Sequence, residues 1–515
     1  MWTDRESTNS TVSGLLAELA GDELGQVTVA CYDTGRLVEL APWLAGHDAR
    51  IDFLCRRQGP DGSWGGRDGY ELVPTMSATA ALLTELNRDI TRGQRKRLAR
   101  TVLRGLSALH RILGQGVAVP ETTGVELIVP ALLRDLRALV AGVAGDPFLV
   151  DLPQDAASAL RLPPGFDWRP LEQARSRFAA RELPQRMWAC LEVFGSAAVA
   201  APSIRPAMGA VGCSPAATAA WLGGASGDRE ALAFLHTLQE RHGGPVPGFT
   251  PITYLEAARV LNHLAAGRLT PAVPASLLDR LESGLTQRGA PAAPGLPPDG
   301  ENTAAVLTAL ARHGRVHPPD SLLGFHADGY FRCFPDERTA SVSTNAWALE
   351  ALALHLTHRP DHRARFGAVA ATTAGWLLDQ QRPDGSWWDS GHASPYYATA
   401  ACVLALLLHD AAWARVAIDK AVTWVCDTQQ ADGSWGRWQG TVEETAYAVL
   451  LLAKAARHDH AVTATTRGCD FLADPVPLTE PVPLWHAKDL YAPVAVIRAL
   501  RIAALRLGAL TTPST

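Results

Sequence analysis

One seven-residue string occurs three times in the 515 residues and restricts the architecture more than any other feature. The copies are Gln58-Gly-Pro-Asp-Gly-Ser-Trp64, Gln381-Arg-Pro-Asp-Gly-Ser-Trp387 and Gln429-Gln-Ala-Asp-Gly-Ser-Trp435. Each follows a helix-like run and precedes another, and the last two lie about fifty residues apart, which fits one helix pair per repeat. Asp-Gly reverses the chain, the Gln amide can bond orphan carbonyls at a helix end, and the Trp roofs the turn. Such clips lock the outer ends of helix hairpins in an α-α barrel, which makes these residues structural.

Elsewhere Ala and Leu dominate, Gly and Pro punctuate, and alternating β-branched runs are scarce. The spacing predicts many short helices, among them 78–85, 130–140, 216–222, 346–356 and 398–408. The length allows two or more sizeable cores. Pro-rich joints at 153–170, 245–251 and 271–298 suggest two helical barrels that meet near 264–274. The expectation is an all-α chain: an N-terminal helix within 1–30 packing on the C-terminal barrel, a first barrel over 31–265 and a second over 266–515.

Charge is nearly balanced, with 47 Lys and Arg against 52 Asp and Glu, so no nucleic-acid footprint shows. The local run Arg95-Lys96-Arg97 reads as a solvated helix face. Residues 1–10 are polar and no apolar run reaches membrane-spanning length; the expectation is a cytoplasmic protein without stable membrane insertion. None of the eight cysteines makes a CxxC pair, which argues for buried thiols over a disulfide framework or a Cys-rich zinc site. The sequence sets no oligomeric state.

Chemistry concentrates at Leu296-Pro-Pro-Asp-Gly-Glu-Asn-Thr-Ala304, where a Pro-Pro turn delivers Asp299, Glu301 and Asn302 to the mouth of an apolar helix. The helix is expected to end at Gly314 with His313 in its last turn. A carboxyl there feels the positive end of the helix dipole, which favours its anion; a dry cavity would instead keep it protonated until substrate arrives. Those opposed pressures suit an acid that protonates a weak base such as an alkene. Taken alone, the stretch reads more simply as a capped helix with solvated carboxylates.

Eight further segments change the balance. Tyr32-Asp33-Thr34-Gly35, the Gln58–Gly65 segment, Gly124-Val-Glu-Leu-Ile-Val-Pro-Ala-Leu-Leu133 and Cys213-Ser-Pro-Ala-Ala-Thr218 lie in the first half. Ser341-Val-Ser-Thr-Asn-Ala346, Gly391-His-Ala-Ser-Pro-Tyr-Tyr-Ala-Thr399, Glu443-Glu-Thr-Ala446 and Trp485-His-Ala-Lys-Asp-Leu-Tyr491 lie in the second. In this order they resemble the YDTA, DGSWG, GFEVVFPALL, CSPSAT, SVSTNA, WHxSPYYAT, EETA and WxGKxLY segments of bacterial class II diterpene cyclases. The resemblance covers most of the chain. It implies two α-α barrels in the βγ architecture, γ-type over 31–265 and β-type over 266–515. It also implies protonation-initiated cyclisation of a linear prenyl diphosphate, geranylgeranyl diphosphate first among the substrates, with the diphosphate retained. No DDxxD or NSE-type metal triad appears, and there is no room for a third helical domain, in keeping with retention.

The family's PxDxDDTA acid motif then corresponds to 297–304, with Asp299-Gly-Glu301-Asn302 where DxDD would stand. The proton donor falls on Glu301, with Asp299 and Asn302 beside it. Glutamate is one methylene longer, which carries its proton about 1 Å deeper. Its intrinsic pKa is about 0.4 units above that of Asp. Asn in place of the last Asp removes a like charge, which offsets that rise. Aromatic faces stabilise carbocations without acting as nucleophiles. Candidates are Trp347, Tyr396, Tyr397 and Trp435, with Tyr396-Tyr397 the favoured pair. His392 and an interdomain His263 are candidate terminating bases. The resemblance implies that Lys488, between Trp485 and Tyr491 and followed by Arg498, anchors the diphosphate. It also implies Mg²⁺, for which only Glu121 and Glu126 remain as ligands.

Other readings stay open at this level. One is a cyclase for farnesyl diphosphate or an epoxide-bearing chain, and another is a squalene-type cyclase. A zinc prenyltransferase β-subunit would use Asp328 and Cys333, and a non-catalytic barrel would use Glu301 as a cap.

Overall fold

The computed structural model describes residues 5–143, 146–153, 156–335, 337, 339–455, 458–474 and 481–511. The chain forms two compact units, one of residues 1–26, 252–484 and 492–515, the other of 27–251 and 485–491.

In the larger unit six helices follow one another around a ring: Thr253–Ala266, Gly300–Arg312, Val342–His358, Pro395–Asp410, Val442–Ala455 and Val494–Thr511. Each packs on the next, and the last packs on the first. Their Ala- and Leu-rich sequences suit the inner position, because such a helix is covered both by its ring neighbours and by an outer layer. That layer includes Ala275–Gly284, Arg363–Asp379, Arg415–Asp427 and Asp459–Ala473. The N-terminal helix Arg5–Gly21 packs on Val494–Thr511 and Ala275–Gly284, and the Arg280 guanidinium donates to the carbonyls of Leu19, Ala20 and Asp22.

The smaller unit repeats the plan. Cys31–Leu40, Leu72–Leu86, Val125–Gly142, the 3₁₀ segment Gln185–Ala198 and Pro215–Leu222 form its inner ring, and the last returns to the first. His47–Arg57, Arg92–Gln115 and Arg229–His242 lie outside it.

The three repeated strings adopt one geometry. Each Trp indole donates to a carbonyl in the last turn of the helix before it: Trp64 to Leu54, Trp387 to Leu377 and Trp435 to Val425, all at 2.7 Å. Each Gln amide donates to the carbonyl of its own turn glycine and to one in the next outer helix, Thr101, Ala417 or Ala464, at 2.8–2.9 Å. The amide therefore reaches across to a neighbouring helix instead of capping its own. Glycine is required at positions 62, 385 and 433, where φ is about +90°. A Cβ there would come within 2.5–2.6 Å of a backbone oxygen of Arg104, Lys420 or Arg467.

The expected boundary at 265/266 is corrected to 251/252. Thr253–Ala266 belongs to the larger ring because it packs on Gly300–Arg312 and Val494–Thr511, and Ala292 accepts from the Tyr254 and Leu255 amides. The Pro-rich stretch 271–298 is thus a connection inside one barrel. Residues 485–491 also leave the larger unit: Ala487 accepts from the Thr123 amide, and Asp489 accepts from the amides of Cys31 and Tyr32.

Candidate active site

The acid turn sits at the start of Gly300–Arg312, which ends with Gly314 in the left-handed region. Asp299 caps the helix: its carboxylate accepts from the Asn302 amide at 2.7 Å and from the Asn302 side chain at 2.8 Å. Gly300 is needed between the acids, because its amide donates to Cys333 at 2.8 Å and a Cβ would meet the Arg332 carbonyl at 2.5 Å. Burial pushes the Asp299 carboxyl up to about 7, against the Asn302 hydrogen bonds that favour its anion.

Glu301 turns to the other side of the turn, with its side chain 18% exposed. Its Oε1 accepts from the Arg259 guanidinium and, at 2.9 Å, from the Tyr397 hydroxyl. Its Oε2 faces the hydroxyls of Ser343 at 3.2 Å and Thr344 at 3.4 Å. Oε1 thus meets a permanent cation and a phenol, whereas Oε2 meets only groups that can accept as well as donate. Oε2 is the oxygen able to carry a proton.

Trp347 and Tyr397 both belong to this cluster. The Trp347 indole donates to the Tyr397 hydroxyl at 3.3 Å, and the Arg259 guanidinium lies 4.0 Å from the Trp347 ring centroid. One face of Trp347 is therefore taken by a cation. His392 stacks on Tyr397 with centroids 4.3 Å apart, and Tyr447 meets Tyr397 edge-on at 5.4 Å. Burial holds the His392 imidazole down to about 3, so it is neutral. Its Nδ1 accepts from the Ser394 amide at 3.0 Å, which leaves the proton on Nε2, 3.2 Å from Glu443 Oε1.

Several expected residues lie elsewhere. Tyr396 packs on Trp424 at 4.8 Å, because adjacent helix residues point about 100° apart. Trp435 is fully buried in its clip. His263 lies within the helix Thr253–Ala266 of the larger unit, edge-on to Tyr447, and burial holds it neutral with a value of about 3. Arg498 pairs with Glu18 at 2.6 Å. Trp485 is buried against Tyr491 in the smaller unit.

Lys488 requires a further correction. Its ammonium is 2% exposed, 2.8 Å from Glu192, 3.2 Å from Asp33 and 2.6 Å from the Ser214 hydroxyl, and it sits over the Tyr32 ring. Tyr32 in turn donates to Glu192 at 2.8 Å. The Tyr32-Asp33, Cys213-Ser214 and Trp485–Tyr491 segments therefore meet in one buried ionic clasp. An ammonium already shared by two carboxylates is not a free anion anchor.

Glu121 and Glu126 are both exposed, and among the described residues no three His, Cys, Asp or Glu side chains gather as metal ligands. The pair does not fit a magnesium cage, which asks for near-octahedral oxygens. Asp328 is exposed and paired with Arg332, while the Cys333 thiol lies 3.9 Å from Asp299, so these two do not form a zinc site.

Arg259, Ser343, Thr344 and Asp389 were not among the expected site residues. Ser343 and Thr344 lay inside a recognised segment, and Asp389 separates a clip from the Gly391–Thr399 segment. Arg259 carried one weak signal, a charge on a helix whose other polar residues are few, Glu256, Asn262 and His263 among them.

Helical barrels, one with a carboxyl at the mouth of an inner helix, fit the class II terpene cyclases; the squalene-hopene cyclase C-terminal domain family matches residues 332–477. Within that class the chain belongs to the class II diterpene cyclases. It is 42% identical to an ent-copalyl diphosphate synthase of Streptomyces sp. strain KO-3988, over 94% of this chain and 93% of that one. It is 38% identical to a copalyl diphosphate synthase of Streptomyces cyslabdanicus, over 98% and 97% of the two chains. The solved ent-copalyl diphosphate synthase of Streptomyces platensis superimposes with a TM-score of 0.91 at 47% identity, covering 98% of this chain and all of that one. No helix among the described residues is long and apolar enough to cross a membrane.

Proposed function

We propose that the protein cyclises geranylgeranyl diphosphate to a bicyclic diterpenyl diphosphate, with Glu301 as the proton donor and the diphosphate retained. The observation that carries this reading is the setting of the Glu301 carboxyl, with two fixed donors on Oε1 and two hydroxyls that can accept on Oε2. Transfer of the Oε2 proton to the terminal alkene leaves a carboxylate whose Oε1 donors, Arg259 and Tyr397, are already in place, so little reorganisation accompanies the step on that side. Arg259 supplies the opposite charge, Tyr397 a hydrogen bond and the helix mouth its dipole. Burial, which raises the Asp299 carboxyl to about 7, favours its protonated form and so opposes a second negative charge on the same turn.

The stacked His392 and Tyr397 rings, with Tyr447 edge-on, supply an electron-rich wall with no free nucleophile on His392, since both its nitrogens are engaged. Magnesium is proposed on the resemblance alone, screening the diphosphate without a cage from Glu121 and Glu126; no step depends on it. The cytoplasm is the proposed site of action.

Purified protein incubated with geranylgeranyl and farnesyl diphosphates, followed by dephosphorylation, mass spectrometry and NMR, tests the reading. A bicyclic C20 alcohol is expected, and Glu301→Gln should form none. Absence of cyclised product from both substrates, or Glu301→Gln cyclising at the wild-type rate, overturns it. Preferential cyclisation of the C15 chain reassigns the substrate.

A further inference from the structure

After each turnover the acid has lost a proton that the terminating step delivers to a different acceptor. Glu301 must be recharged, and its Oε1 side is closed by Arg259 and Tyr397. On the Oε2 side stands Ser343, whose hydroxyl lies 3.2 Å from Glu301 Oε2 and 3.0 Å from Asp389 Oδ2. A serine owns one hydroxyl proton, yet here it bridges two carboxyl groups. With both acids ionised, one of the two contacts is an oxygen facing an oxygen with no hydrogen between them. Both contacts are satisfied when a single additional proton is present.

Two arrangements then exist. In one, Glu301 Oε2–H donates to Ser343 Oγ, which donates to Asp389 Oδ2. In the other, Asp389 Oδ2–H donates to Ser343 Oγ, which donates to Glu301 Oε2. They interconvert when each of two protons moves across one hydrogen bond, and no atom is left over. We infer that Asp389 and Ser343 form the proton-return route to Glu301, taking a proton from solvent water at Asp389 and passing it through the Ser343 hydroxyl.

The surroundings fit a fixed relay. Asp389 is half-buried, so it meets solvent, whereas Ser343 is 1% exposed. The remaining lone pairs of Asp389 accept from the Ser341 hydroxyl at 2.9 Å, the Ser343 amide at 3.0 Å and the Gly391 amide at 2.8 Å. These bonds hold the carboxylate against the N-terminus of Val342–His358 without blocking Oδ2 from the serine. Neither residue touches the reacting alkene in this scheme, so both are positioning residues. The inference rests on Glu301 as the proton donor.

The test compares one turnover with many. Wild type, Ser343→Ala, Ser343→Thr and Asp389→Asn are mixed with geranylgeranyl diphosphate, once with enzyme in excess for a single turnover and once with substrate in excess, and followed by quenched flow. Steady-state rates are measured alongside. For Asp389→Asn we expect a first turnover within about twofold of wild type and a steady-state rate at least about tenfold lower, visible as a burst of one product per enzyme; Ser343→Ala, which also removes a contact of Glu301, should slow its later turnovers at least about tenfold more than its first. Ser343→Thr, which keeps the hydroxyl, should restore the steady-state rate. Steady-state rates unchanged in both variants, or first and later turnovers slowed equally, overturn the relay. Wild type that forms no cyclised product would instead refute the proposed activity, so the two failures are distinguishable.

Discussion

The Tyr397 hydroxyl stands 2.9 Å from Glu301 Oε1 and itself accepts from the Trp347 indole at 3.3 Å, so two aromatic residues are committed to one carboxylate oxygen. The phenol is a donor aimed at charge that appears only when Glu301 gives up its proton. Tyr397→Phe keeps the ring against His392 and Tyr447 and removes that donor. A hydrogen bond to a charged group contributes about 1.5–3 kcal/mol. The expected result is a kcat lower by about ten- to a hundredfold with KM little changed. Equal kcat in Tyr397→Phe and wild type would remove Tyr397 from the acid's machinery.

Lys488 gives the opposite pattern. Replacing it with Met leaves Asp33 and Glu192 buried beside each other without their cation. Breaking a buried pair in this way costs about 3–5 kcal/mol. Thermal or urea unfolding should show a large loss of stability. Ser214→Ala, which trims the clasp by one hydroxyl, should lower stability slightly and leave KM for the diphosphate unchanged. A KM rise without loss of stability in either variant would return Lys488 to the role of diphosphate anchor.

The contrast between these sites shows what a sequence can carry. The clip strings were legible because the residues that make the turn, the amide and the indole recur together in one short string, although the amide's second partner lies 35–43 residues away in the next helix. The acid turn was legible for the same reason: Asp299, Gly300 and Glu301 are consecutive and open a helix. Arg259 was not, because it reaches Glu301 from 42 residues away across a Pro-rich stretch that reads as a linker. That stretch also misplaced the barrel boundary, since proline marks a chain that leaves a helix but not whether it leaves a domain. Tyr396 and Tyr397 show a finer limit: helical rotation sends neighbours to different partners, and only Tyr397 meets the acid. Lys488 was misjudged because its two carboxylate partners, Asp33 and Glu192, are 455 and 296 residues distant in the chain.

The clips make a prediction about stability alone. Gln429→Ala removes the amide that bonds Gly433 and Ala464, both at 2.9 Å. Two neutral hydrogen bonds contribute about 1–3 kcal/mol together. Calorimetry should show a lower Tm, while the product and the KM stay as in wild type. A changed ratio of cyclised products would mean that the clip shapes the reaction chamber as well as the outer layer.

Asp299 offers a test in which pH supplies the sign. Its carboxyl has a value of about 7 in the folded chain, raised by burial. In the unfolded chain it lies near the ordinary value of about 3.9. Between those limits the folded state holds a proton that the unfolded state has released. Stability from this group is therefore fully present below about pH 4 and falls as pH rises towards 7, where the folded carboxyl also ionises. Asp299→Asn cannot titrate and lacks this slope. Its side-chain oxygen can still accept from the Asn302 amide, and a rotated Asn302 side chain can present its oxygen to the new amide. The difference in unfolding free energy, variant minus wild type, should thus become more favourable to the variant between pH 5 and pH 8. Urea titrations at several pH values measure it directly. A difference that stays flat across that interval would mean Asp299 is already ionised at pH 5, and the acid turn would then hold two negative charges where the proposed mechanism requires one.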